Sequence, residues 1–118
     1  MLYYTEKTNI ELRSNHAVQR DSNNNLVEHT EGTAIGVCMS CVEIQDTNSV
    51  FYESKIYVSG GGGQSMVLNS NWSGFLARFE FVNGKVEPVD SGGSGWLVPE
   101  YPRVSKNAGD IVSAVIYL

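Results

Sequence analysis

A chain of 118 residues has room for one domain that buries most of the surface its unfolded form would expose, and not for a second. Its 8 Lys and Arg are scattered and outnumbered by 13 Asp and Glu, giving a net charge of -5. That excludes the cationic density needed to neutralise a phosphate backbone, so no nucleic-acid partner is expected.

No basic segment precedes an apolar run at the N-terminus, and no stretch approaches the length of a bilayer span. Neither classical secretion nor a membrane partner is expected. A hydrophobic content of 42% with 18% charged residues is that of a globular chain, and 12 Gly among many Asn, Ser and Thr favour strands and turns over helices. The expected fold is all-β. A single small β-sandwich or barrel-like domain spans 13–118, preceded over 1–12 by an extended N-terminal arm or first strand.

The first twelve residues are β-prone but carry no cap and no periodic stripe. Leu2, Tyr3, Tyr4, Ile10 and Leu12 offer apolar contact area there and are expected to bind a partner, as an arm the core can do without. Ala17 to Arg20 and Leu26 to His29 flank Asp21-Ser22-Asn23-Asn24-Asn25, a hairpin turn or an exposed loop. Gly32 to Ile44 is nearly apolar and reads as the central strand, covered on both faces, with Gly36 marking a bulge or the close approach of another backbone. Val50-Phe51-Tyr52 and Lys55 to Val58 follow. Gly60-Gly61-Gly62-Gly63 reads as a flexible loop, after which Met66-Val67-Leu68 resumes the sheet.

From Phe75 to Phe81 the chain alternates, with Phe75, Ala77, Phe79 and Phe81 on one side and Arg78 and Glu80 on the other. Asn83-Gly84 suits a type I′ turn, and Lys85 to Val89 returns as the partner strand. Gly92-Gly93-Ser94-Gly95 breaks the chain before Trp96-Leu97-Val98. Asn107 to Asp110 then turns it into a closing strand, Ile111 to Leu118.

No set of residues demands catalysis. Cys38-Met39-Ser40-Cys41 has redox or zinc spelling, but it sits in a β-prone run, where residues three apart point to opposite faces. Two buried free thiols are expected. His16 and His29 lie in polar flanks and read as exposed side chains rather than metal ligands. The glycine run lacks the Gly-Lys-Ser/Thr of a phosphate loop. Asp90 and Asp110 are turn residues, Glu80 and Glu87 belong to a solvated hairpin face, and no Gly-x-Ser-x-Gly elbow precedes a helix. Neither an enzyme activity, a metal nor another cofactor is expected. Trp72, in the polar run Asn69 to Gly74, is either a stacking platform and interface anchor or a core-edge residue, whereas Trp96 reads as core. Asn71-Trp72-Ser73 also spells a glycosylation acceptor, which without a secretory signal carries no consequence.

The order Asn83-Gly84-Lys85-Val86, Pro88-Val89, Gly95-Trp96-Leu97-Val98 and Ala108-Gly109-Asp110-Ile111-Val112 resembles the head-decoration, or capsid cement, proteins of tailed bacteriophages. Gly32-Thr33-Ala34-Ile35-Gly36-Val37 is similar to an early strand of that family. The Pro99 to Pro102 segment, the four-glycine run and the polar N-terminal region depart from its pattern. The resemblance implies a non-enzymatic protein, made in the host cytoplasm, that binds the major capsid protein on the outer surface of the virion. It also implies a homo-trimer at local three-fold positions. The alternative is a carbohydrate- or receptor-binding β module of a tail or adhesin, with Trp72 and the Gly60 loop as its site.

Overall fold

The computed structural model describes residues 2–59 and 63–117. Ten strands and no helix make up its regular structure: β1 (Leu2–Thr8), β2 (His16–Arg20), β3 (Leu26–Glu28), β4 (Gly36–Asp46), β5 (Ser49–Ser59), β6 (Gln64–Val67), β7 (Ala77–Val82), β8 (Lys85–Val89), β9 (Gly95–Val98) and β10 (Ile111–Ile116). They form two antiparallel five-stranded sheets, ordered β1-β5-β4-β2-β3 and β6-β10-β9-β7-β8. The N-terminal half of the chain builds the first sheet and the C-terminal half the second. The expected Gly60–Gly62 loop lies outside the described residues, as does Leu118.

The main core lies between the sheets. Ala17, Val37 and Tyr57 face Met66, Phe79, Val86, Leu97, Val112 and Ala114, each a member of one buried cluster. Period-2 alternation explains the choice of residues. Along β7, Phe79 is buried while Glu80 is exposed, and in β10 Val112, Ala114 and Ile116 are buried while Ile111 and Ser113 are exposed. Phe79 and Phe81 meet edge to face, with ring centroids 5.3 Å apart. The hairpin between them and β8 turns on Asn83 at φ 49° and Gly84 at φ 76°, the pair of positive φ values of a type I′ turn.

The strand begins at Ala77, so the expected alternation does not reach back to Phe75, which sits in the preceding loop and is exposed. Trp96 is half-buried rather than core. It stands on the outer face of the second sheet, with the Arg78 guanidinium 4.9 Å from its ring centroid.

A satellite core lies on the other face of the first sheet, where Leu12 packs with Val18, Leu26, Cys38 and Ile56. This sheet is strongly curled. Two strands separate β1 from β2 in its order, yet the Arg20 guanidinium reaches back to the Glu6 carboxylate at 2.5 and 2.7 Å and to the Tyr4 hydroxyl at 3.2 Å. Leu12, only 1% exposed, fills the space the curl encloses. Of the two expected forms, arm or first strand, the first twelve residues take the second: β1 pairs with β5 from Leu2 to Thr8, and Leu12, expected as a partner contact, instead closes the satellite core.

The expected central strand is corrected in part. Gly36, Val37 and Cys38 are buried, and Gly36 is a point of close approach, since an added Cβ would come within 2.7 Å of the Tyr57 carbonyl oxygen. At Met39 the register slips by one residue, and beyond it β4 has β5 as its only paired neighbour among the described residues. From Ser40 to Asp46 no residue is fully buried. The long β4–β5 hairpin, flanked by β1, projects past the sandwich in a molecule whose extents are 50 × 28 × 25 Å.

The bulge also corrects the cysteines. Cys38 pairs with Ile56 and Cys41 with Ser54, two positions of one face, so both thiols point into the satellite core side by side. Cys38 is fully buried and Cys41 half-buried. The histidines are likewise inside and not exposed. His16 donates from Nδ1 to the Ser14 carbonyl at 2.9 Å, and His29 donates from Nε2 to the Gly32 carbonyl at 3.0 Å.

Candidate partner-binding surface

Six residues were expected to make partner contacts, and the structure divides them. Leu2 and Ile10 are exposed and Tyr3 is 49% exposed, whereas Tyr4 is half-buried against Arg20. Leu12 belongs to the satellite core, and Trp72, 4% exposed, to the main core. Trp72 is thereby excluded as a stacking platform. Its indole N–H donates to the Phe75 carbonyl at 2.8 Å, and its backbone exchanges two 2.9 Å hydrogen bonds with Lys106, which tie the loop before β7 to the loop after β9.

What β1 contributes instead is one edge of a three-stranded ribbon, β1–β5–β4. Alternation extends the inner face of the first sheet along it. Tyr57, buried in the sandwich, is followed on the same face by Lys55, Glu53 and Phe51, paired with Ser40, Val42 and Ile44 on β4. Across β1, Tyr3, Thr5 and Lys7 lie opposite Tyr57, Lys55 and Glu53. The second sheet does not cover this part of the face. Val42 is 55% exposed, and Ile44 and Phe51 are half-buried.

Two cations lie over its aromatic rings: Lys55 Nζ is 4.1 Å from the Tyr3 centroid and Lys7 Nζ 4.1 Å from that of Phe51. Stems of this kind cover ring faces while keeping the ammonium in water, so the face stays solvated when free and presents apolar area when they move aside. Val42 was missed because it lies in an apolar run read as a strand covered on both faces, and Phe51 because its short run was read as a strand with no face assigned. The available signal was the interleaving of Glu43, Gln45, Glu53 and Lys55 among them, the mark of a strand with solvent on one side.

A second exposed apolar group occupies the far loops. Phe75 and Leu76 before β7, and Tyr101 and Val104 after β9, all face solvent. The Arg103 guanidinium stacks 4.1 Å over Phe75 and donates to the Ser73 carbonyl, joining the two loops.

Several of the other ionisable groups have structural partners. Asp110 accepts the Asn107 amide at 2.8 Å within its turn, Glu87 accepts the Asn69 side-chain amide at 2.9 Å, and Arg13 forms a two-pronged pair with Glu28 at 3.0 Å. Burial raises the Cys38 thiol to about 11, with the neighbouring Cys41 adding to the effect. Such a thiol is neutral and a poor nucleophile. Among the described residues no group of three or more His, Cys, Asp and Glu is placed to hold a metal ion, and no helix is long and apolar enough to cross a membrane. No protein-family model matches the chain, and no curated protein matches it.

Proposed function

We propose that this chain is a non-enzymatic attachment domain that decorates the outer surface of an assembled bacteriophage head by binding the major capsid protein. The observation that carries the reading is the projecting β1–β5–β4 ribbon, whose mixed face, with Tyr3, Val42, Ile44 and Phe51 set among Lys7, Glu53 and Lys55, continues the inner face of the sheet beyond its own sandwich. The resemblance of the last third of the chain to capsid cement proteins supplies the class of partner.

In this reading the sandwich is a rigid body and Tyr3, Val42 and Phe51 are the contact. Copies grouped in threes would sum modest single contacts into lasting attachment. The test is co-sedimentation of the purified protein with undecorated heads of its parent phage. Binding is expected to be saturable and to fall more than tenfold, a loss of about 1.4 kcal/mol or more, in Val42→Ser and Tyr3→Ser. Absence of co-sedimentation of the native protein overturns the reading.

A further inference from the structure

A cleft of about 440 Å³ opens between the loop after β3 and the turn joining β8 to β9. Its walls are held by backbone bonds. Ser94 donates from its amide to the Phe79 carbonyl at 2.7 Å, Tyr117 donates from its amide to the Ser94 carbonyl at 2.7 Å, and His29 secures Gly32 from behind. Gly93 lets the turn lie close against β7, since at φ 86° an added Cβ would fall 2.0 Å from the Phe79 carbonyl oxygen. The site is therefore formed without a ligand.

Its chemistry is selective. Among the described residues that line it, Glu80, exposed, is the only Asp, Glu, Lys or Arg, and none of them is a cation that would recognise phosphate, sulfate or carboxylate. One exposed aromatic residue, Tyr117, lines it, while Phe81 borders it from the core side, packed on Phe79 and 6.0 Å from the His29 ring. Thr33 and Ser94 add hydroxyls that both donate and accept. An aromatic face matches the C–H face of a pyranose, and a carboxylate beside neutral hydroxyls matches its ring hydroxyls. We propose that this cleft binds a neutral saccharide, with Tyr117 as the stacking ring and Glu80 as the hydroxyl acceptor. The site is separate from the ribbon and does not depend on capsid attachment.

The experiment is an NMR titration of the isotope-labelled protein with maltose, lactose and chitobiose at millimolar concentrations, and with choline as a cationic competitor. At least one sugar is expected to shift the amides of Thr33, Phe81, Ser94 and Tyr117 in a saturable way. Tyr117→Ala and Glu80→Gln, both at exposed positions, are expected to weaken that response at least tenfold with unchanged circular dichroism, whereas Tyr101→Ala in the distant loops leaves it unaltered. The proposal is overturned if none of the sugars shifts these amides, if both cleft variants respond like the native protein, or if choline binds more tightly than every sugar. Glu80→Gln should co-sediment with heads as the native protein does, so failure of the cleft and failure of the attachment reading are distinguishable.

Discussion

The Nδ1 atom of His29 accepts the amide N–H of Gly84 at 3.1 Å, so a side chain beside the first sheet holds the tip of the β7–β8 hairpin of the second. The Gly84 carbonyl accepts the Ala17 amide at 2.8 Å on the same side, which docks the turn by two bonds. Because Nδ1 accepts, the ring proton is on Nε2, where the Gly32 carbonyl receives it. His29→Leu should leave the buried Gly84 N–H without a partner and cost about 1 to 3 kcal/mol in urea denaturation. Asn83→Val should destabilise as well, since a β-branched residue resists the φ of 49° held there.

Phe79 and Glu80 are neighbours in sequence with opposite surroundings. Phe79 is fully buried at the centre of the main core, while Glu80 faces solvent. Phe79→Ala should cost roughly 3 to 5 kcal/mol and Glu80→Ala should change the denaturation midpoint hardly at all. Equal losses at the two positions would contradict the alternation.

The thiols should react in order. Cys41 is half-buried, with its sulfur receiving the Leu12 amide and the Ser54 hydroxyl at 3.4 Å each, and Cys38 is completely enclosed. With a disulfide-exchange reagent at neutral pH, Cys41 should be modified first. Cys38 should follow only on unfolding, which a Cys41→Ser variant makes directly visible.

Acid should weaken the fold through Glu6. The Arg20 guanidinium, bonded to both carboxylate oxygens, holds Glu6 below its ordinary value of 4.5, outweighing the opposing effect of burial. A depressed carboxyl contributes stability that is complete above the unfolded value and is lost as pH falls through the folded one. Denaturation midpoints should therefore decline below about pH 4.5, and the decline should be shallower in Arg20→Gln. An equally steep decline in that variant would place the acid sensitivity elsewhere.

Removing residues 1–12 should lower the melting temperature markedly. The truncation strips the partner of β5 and uncovers Val18, Leu26 and Ile56, which Leu12 now seals. A truncated protein that melts like the native one would return these residues to the status of an arm.

What the sequence by itself determined here is local. Alternation between Ala77 and Val82, the Asn83-Gly84 turn and the apolar positions of β10 depend on neighbours a few residues away, so the all-β class and the C-terminal hairpin were legible. The tertiary structure decided everything that depends on which strand lies beside which. Met39 gives no sign in its spelling that it is the extra residue of a bulge, yet that slip places Cys41 beside Cys38 and rephases the rest of β4. Leu12 and Trp72 look like surface anchors among polar neighbours, and only the curl of the first sheet and the docking of two loops bury them. The projecting ribbon was hidden for the converse reason. An apolar run is the same in sequence whether a second sheet covers it or not, and burial is a property of what the rest of the chain places opposite.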